Sequence, residues 1–193
     1  MEIEKALMER RTVRLFQQKT VEKDDLRLMI DAARQTSSAS NMQRLRFIVV
    51  TTPATVGEML ANTAWAGLVK PRRTPIAGET GPAAFIAITG PATLAANHIL
   101  SADAGAAIQS MQLAAWSRGL GCCWIASIDK AAMKRILGVA EDREVLYVLA
   151  VGYPAEFPTS EDTHSADQLA YYLDENNRLH VPKLALEEIS SWM

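Results

Sequence analysis

The sequence predicts a helix-dominated fold with a few short strands, built as one domain over residues 1–193. Three observations carry that prediction. Alanine accounts for 30 of the 193 residues, often in pairs such as Ala32–Ala33, Ala83–Ala84, Ala106–Ala107 and Ala114–Ala115. Small side chains favour helix and let helices approach closely. Hydrophobic residues make up 49% and charged residues 22%, enough apolar surface for an ordinary core. Glycine and proline number only 10 and 8, too few for long flexible linkers.

Each element follows from local pattern. Ile3, Ala6 and Leu7 recur at helical spacing, predicting a first helix over 2–10; Leu26, Met29, Ile30 and Ala33 predict a second over 24–36. The β-branched run from Phe47 to Thr51 reads as a strand. Thr52-Pro53 then opens a helix to about Ala61, with proline at the first helical position. Residues 64–82 hold Pro71, Pro75, Gly78, Gly81 and Pro82 and read as a long loop, a kind of segment that often serves function. Ala83 to Thr89 is a second strand. Residues 101–118 are apolar around nearly the whole helical circumference, which predicts a helix buried on all sides or against a partner. Gly119-Leu120-Gly121 ends it, and Cys122 to Ala126 is a third strand. Asp129 caps a short helix closed by Gly138. Val145 to Val151 is a fourth strand, closed by Gly152-Tyr153-Pro154. Residues 155–175 read as irregular and acidic, 178–181 as a short extended piece, and Pro182-Lys183 as the start of a last helix.

Charge and cysteine content narrow the function. Twenty lysines and arginines face 22 acids, a net charge of −2, which argues against broad binding to nucleic acid. Two adjacent cysteines, Cys122 and Cys123, make neither a disulfide framework nor a zinc site. They read as core thiols rather than a redox pair. No apolar run approaches the roughly 18 residues of a membrane span. The opening MEIEKALMER lacks the apolar core of a secretion signal. The expectation is a cytoplasmic enzyme or binding domain with no membrane or nucleic-acid partner.

Three constellations could carry chemistry. Arg10, Arg11, Thr12 and Arg14 place three guanidiniums and a hydroxyl within five residues. Guanidinium forks match phosphate oxygens, although such a cluster also suits a solvated basic turn. Ser37, Ser38 and Ala39 allow close backbone approach to a flat ligand, and Asn41 and Gln43 offer amides for its edge; a polar loop tip is the plainer reading. Gly119-Leu120-Gly121 leads into Trp124, Ile125, Ala126 and Ser127, either a ligand-facing strand or a buried turn and strand. No Walker A loop, GxSxG or HExxH is present, and His98, His164 and His180 are scattered without metal-ligand spacing. The expectation is therefore no metal and no side-chain catalyst. Redox chemistry on a bound cofactor requires neither.

In order along the chain, RRTVRLF at 10–16, SSASNMQRLRF at 37–47, DAGAAIQSMQLAA at 103–115, GLGCCWIAS at 119–127 and VGYP at 151–154 resemble the nitroreductase family of FMN-dependent oxidoreductases. The VPK at 181–183 looks like the C-terminal segment of its compact members. The resemblance spans about residues 3–190. It implies an α+β fold, a mostly antiparallel central sheet flanked by helices, in an intertwined homodimer with FMN at the subunit interface. By position it assigns Arg10, Arg11, Thr12 and Arg14 to the FMN phosphate and ribityl chain, completed by Lys183, with Arg178 as a further candidate. Ser37, Ser38 and Ala39 would line the flavin from the other subunit, with Asn41 and Gln43 near its polar atoms. Trp124, Ile125, Ala126 and Ser127 would pass beside the ring. Lys70, Arg72 or Arg73 would supply a cation at the flavin edge.

The implied activity is ping-pong hydride transfer from NADH or NADPH through flavin N5 to an electron-poor small-molecule acceptor, such as a nitroaromatic or quinone. A flavin-binding storage or sensor protein, or a dedicated chemistry such as reductive dehalogenation, are the alternatives. The chain departs from the family pattern at Thr12, where serine is usual, at Ser37, where proline is common, and at Arg44-Leu45, which replace Pro-Trp.

Overall fold

A computed structural model describes residues 3–193. Residue 2 of the expected first helix lies outside them. The helices are α1 (Ile3–Glu9), α2 (Lys23–Arg34), α3 (Pro53–Ala61), α4 (His98–Ser117), α5 (Lys130–Leu137) and α6 (Leu186–Ile189). The strands are β1 (Arg46–Val50), β2 (Ala84–Pro91), β3 (Gly121–Ile125), β4 (Arg143–Gly152), β5 (Thr159–Thr163), β6 (Tyr172–Leu173) and β7 (Leu179–Leu184).

The central sheet has the order β1-β2-β4-β3, with every pairing antiparallel. Alternate side chains of β2 and β4 enter two different cores. Ile86, Ile88, Leu149 and Val151 pack with Leu26 and Met29 of α2 and with Ala104, Ile108 and Met111 of α4. Phe85, Ala87, Val148 and Ala150 pack with Val56 and Met59 of α3, Met133 of α5, and Val13 and Phe16. A sheet covered on both faces needs a continuous apolar run, which is what Ala84–Ile88 and Val145–Val151 supply. Each fully buried Ile, Leu or Met contributes roughly 1.5–3 kcal/mol.

Several local expectations hold in atomic detail. The Asp129 side chain accepts the Ala132 N–H at 2.9 Å, and Gly138 closes α5 in the left-handed conformation. Pro53 opens α3, but the Thr52 side chain makes no cap bond. Strands β2 and β4 run longer than expected, while β1 and β3 keep the expected length but start one residue earlier, so Ala126 lies beyond β3.

Three expectations are corrected. The long helix begins at His98 rather than 101, because the Asn97 side chain caps it by accepting from Ile99 N and Leu100 N. Of the two alternatives for its burial, the partner-facing one remains, since within one chain Ile99, Ala102 and Ala106 are exposed along one stripe. The segment 155–175 is not simply irregular. It contains β5 and β6, which flank β7 in a second sheet of order β5-β7-β6. Pro182 and Lys183 do not start a helix; they lie in β7, parallel to β5, opposite Glu161 and Asp162. Pro182 sits beyond the two-residue reach of β6, so its missing N–H removes no ladder bond on that side. The helix that follows is only Leu186–Ile189.

Candidate functional site

The chain from Arg10 to Gln17 crosses the end of the central sheet as an added extended segment. Thr12 bridges Cys122 of β3 in parallel, and Val13 N donates to Cys122 O at 2.9 Å. Phe16 bridges Pro154, Gln17 N donates to Tyr153 O at 2.9 Å, and Ala155 N donates to Leu15 O at 2.9 Å. Val13 and Phe16 are buried anchors. Two glycines make room for them. Gly121 and Gly152 face each other across β3 and β4. A Cβ on Gly121 would come within 2.6 Å of Val13, and one on Gly152 within 2.8 Å of Phe16. The GLG and GYP motifs thus have a steric purpose: they let the arginine-bearing segment lie against the sheet.

With Val13 and Phe16 anchored inward, Arg10, Arg11 and Arg14 gather on the adjacent half-buried surface. Arg11 donates to Arg10 O at 2.7 Å and to Ser160 Oγ of β5. The Arg14 guanidinium lies over the Tyr171 ring, 4.9 Å from its centroid. Arg10 Nε, Arg11 Nε and Arg14 Nη1 are buried without a hydrogen-bond partner. Burial, with the Arg11 charge beside it, holds the Arg10 guanidinium below its ordinary value. Three buried, unpartnered donors on neighbouring cations leave a strong requirement for an oxyanion. A phosphate is one ligand with that chemistry. Lys183 is exposed on β7, two residues beyond Val181, the register partner of Ser160. Arg178 is exposed and contributes its backbone N–H to Asp174 Oδ1 at 2.7 Å.

A second group forms around the loop after α2. Ser40, Asn41 and Gln43 all have positive φ, between 46° and 52°, a strained conformation for side chains with a Cβ. Asp103 of α4 holds this loop by accepting the Ala39 N–H at 3.0 Å. Ser38 Oγ accepts Gln43 N at 3.2 Å, and Gln43 Nε2 donates to Asn41 Oδ1 at 2.9 Å. Ser37, Asn41 and Gln43 are exposed. Beneath the loop a cavity of about 240 Å³ is bounded by Ala33, Leu45, Phe47 and Asp103.

The third group is the end of β3. Trp124 is 41% exposed and meets Tyr147 edge-on, with ring centroids 5.3 Å apart. Ile125 points into the core, so only its backbone can reach a ligand. Ala126 and Ser127 are exposed, and Ser127 O accepts Ala64 N at 2.9 Å, which ties this strand end to the start of the long loop. Cys122 and Cys123 are free and buried. Desolvation pushes both thiols up, Cys123 to about 12.

The Arg10–Arg14 segment is therefore joined to β3 and the β5–β7 sheet. Among the described residues, no hydrogen bond or ion pair within the chain links it to Ser37–Gln43. In the long loop, Lys70 and Arg72 are exposed, but Arg73 is buried. Its Nε lies 2.6 Å from Glu156 Oε2, so it is committed to an internal ion pair and is not free to serve a flavin edge. Sequence reasoning missed Glu156, Ser160 and Tyr171. The one available signal was an acid four residues after Gly152, in a chain whose arginines needed an internal counter-charge.

An antiparallel sheet sandwiched by helices, with buried guanidinium donors on a segment bridged to the strand that carries the exposed Trp124, defines an α+β protein with a candidate oxyanion site. The nitroreductase family model matches residues 7–153, and the chain belongs to that family. A protein of Archaeoglobus fulgidus, provisionally named an NADH dehydrogenase/NAD(P)H nitroreductase, is 24% identical over 182 residues, covering 86% of this chain and 94% of the relative. Among solved structures, the FMN and NADPH-dependent nitroreductase NfnB from sphigopyxis sp. strain HMH superposes with a TM-score of 0.71 at 20% identity, covering 100% of this chain and 99% of that one. The NADPH:FMN oxidoreductase from Vibrio harveyi, complexed with NAD+, gives a TM-score of 0.67 at 20% identity, covering 97% and 81%. These likenesses establish the nitroreductase-like fold.

Proposed function

We propose that this protein is an FMN-dependent oxidoreductase that takes hydride from NADH or NADPH and delivers it to an electron-poor small molecule such as a nitroaromatic or quinone. FMN, when bound, would supply the redox chemistry of hydride transfer between the two substrates. The observation that carries this reading is the set of unpartnered donors at Arg10, Arg11 and Arg14, on a segment that Thr12 bridges to the strand carrying Trp124. Arg10, Arg11, Thr12 and Arg14, with Lys183, would bind the phosphate and ribityl chain. The exposed end of β3, from Trp124 to Ser127, would orient the ring and shield one face from water. The chain's task is positioning, which requires no acid or base beyond solvent.

The protein is further proposed to act as a single-domain cytoplasmic homodimer. The exposed stripe of Ile99, Ala102 and Ala106 on α4 supports the homodimer, as does the lack, among the described residues, of any hydrogen bond or ion pair joining Ser37, Ser38, Ala39, Asn41 and Gln43 to the arginines. Across a two-fold axis the loop of one subunit would face the cradle of the other. No described helix is long and apolar enough to cross a membrane.

Purified protein is expected to be yellow or to become so on reconstitution with FMN, and its flavin absorbance to bleach anaerobically with NADH or NADPH. Protein that takes up no FMN would overturn the reading. Light scattering should give twice the mass of the 21.1 kDa chain, and Ala106→Glu should halve it.

A further inference from the structure

Glu156 stands where three segments meet, and its side chain is only 7% exposed. Oε1 accepts the N–H of Arg14 at 2.6 Å and that of Leu15 at 3.3 Å. Oε2 faces Arg73 Nε at 2.6 Å, an ion pair rather than an aligned hydrogen bond. Arg73, equally buried, donates to Asn177 O at 2.5 Å and to Arg72 O at 3.0 Å. One carboxylate thus divides its two oxygens between the backbone of the arginine segment and the long loop.

That division bears on the cradle. Bringing a carboxylate into the interior is unfavourable unless its charge is matched and its lone pairs are used. Arg73 matches the charge, and the Arg14 and Leu15 amides use the other oxygen. Two successive amides turned onto one oxygen fix the direction in which the Arg14 side chain leaves the segment. Arg14 is the residue whose Nη1 is buried without a partner and whose guanidinium is steadied over Tyr171. We propose that Glu156 is the positioning residue of the Arg10–Arg14 cradle, acting on Arg14 through its backbone, and that Arg73 is the counter-charge that lets it sit there. The 64–82 loop contributes to ligand binding by this route, without touching the ligand. The inference rests on the reading of the cradle as the FMN phosphate site.

The competing account is that Glu156 only stabilises the fold, since Gln17 and Leu15 already pair with Tyr153 and Ala155. Two double variants separate the accounts. Arg73→Met with Glu156→Gln removes both charges and keeps an acceptor for the Arg14 N–H; Arg73→Met with Glu156→Ala removes the acceptor as well. FMN affinity is read by fluorescence quenching, and apoprotein unfolding by heat. The Gln variant should bind FMN within about threefold of wild type, and the Ala variant at least about tenfold more weakly, the usual effect of losing one charge-assisted bond. Equal affinities in the two variants overturn the proposal. If neither double variant folds, Glu156→Asp decides: it keeps the charge beside Arg73 but withdraws the oxygen from Arg14, so unchanged FMN affinity overturns the proposal. Failure of the wild-type protein to bind FMN is a separate outcome that removes the reading of the site itself.

Discussion

Asp103 reaches from α4 to the loop after α2 and accepts the Ala39 N–H through Oδ1 at 3.0 Å, a contact between residues 64 apart in sequence. Its other oxygen is buried without a partner. The loop it holds carries three positive-φ residues, so the bond offsets backbone strain as well as satisfying a donor. Asp103→Ala should destabilise the protein by about 1–3 kcal/mol, the penalty of a donor left unmet in a half-buried site. Asp103→Asn keeps an acceptor and discards a buried charge, so it should stay closer to wild type. Urea titration followed by circular dichroism orders the three proteins. Equal stability of the Ala and Asn variants would show that the loop is held otherwise.

The guanidinium cluster gives the most direct ligand test. Arg10→Ala and Arg14→Ala each remove one or more charge-assisted donors, worth roughly 1.5–3 kcal/mol apiece. The FMN dissociation constant should rise by about 10- to 100-fold in each, with the fold intact by circular dichroism. Added salt should weaken wild-type binding only modestly, because half-buried charges are screened less than exposed ones. Unchanged affinity in both variants would return the cluster to a solvated basic turn.

These residues also mark what the sequence made legible. Strands β1 to β4 and helix α5 were readable because their signals are local: β-branched apolar runs, and Asp129 and Gly138 at the two ends of one helix. The cysteines read correctly as core thiols for the same reason. The β5–β7 sheet was not readable. Its strand Thr159–Thr163 is polar and exposed over Ser160–Asp162, and its pairing with β7 joins residues some twenty positions apart. Pro182 in β7 also mimicked a helix start, because a proline carries the same signal at a strand position that needs no N–H. Arg73 misled in another way. A cation in a proline-rich loop looks available, and only the fold brings Glu156 to it.

The two cysteines should be inert in the folded protein. Desolvation is the main cause that pushes both thiols up, and for Cys122 the neighbouring Cys123 adds to it while Arg10 opposes it. A raised value means that this contribution to stability is full below the unfolded thiol range of about 8.5 and fades as the pH rises above it. Iodoacetamide at pH 8 should leave both residues unmodified by mass spectrometry and should alkylate both in urea. Rapid modification of the native protein would contradict this and reopen a redox role.

The small sheet should be sensitive at both ends of the pH scale. The Arg178 backbone N–H, and then His180, hold the Asp174 carboxyl below the usual range. The hydrogen bond to Glu161, at 2.8 Å, pushes the Tyr172 phenol up. A depressed carboxyl stabilises above its unfolded value of about 3.9, and that contribution is lost as the pH falls below it. A raised phenol stabilises below about 10, and that contribution is lost as the pH rises beyond it. Hydrogen exchange at β6 and β7 should therefore accelerate toward pH 3 and toward pH 11. Asp174→Asn should flatten the acid limb, and Tyr172→Phe the alkaline one. Identical profiles in wild type and both variants would place the sensitivity elsewhere.

The glycine pair links fold to site most tightly. Gly121 and Gly152 are register partners, and each faces an anchor of the arginine segment, Val13 and Phe16 respectively. A Cβ at Gly121 would meet three Val13 side-chain atoms at 2.6–3.0 Å, closer than real contacts allow. Val13 is fully buried, and because its Cβ is one of the three atoms, no χ1 rotation relieves the overlap. The segment itself must move, taking Arg11, Thr12 and Arg14 with it. Gly121→Ala should thus cost about 1–3 kcal/mol of stability, as overpacking does, and should also weaken FMN binding although no ligand-facing atom has changed. Trimming the anchor tests the cause: Val13→Gly removes all three contacted atoms, and in the Gly121→Ala background it should recover FMN affinity relative to Gly121→Ala alone. Affinity lost with Gly121→Ala and restored by Val13→Gly identifies displacement of the segment as the mechanism. Affinity that stays at the wild-type level in Gly121→Ala would show that the cradle does not depend on how the segment lies against β3.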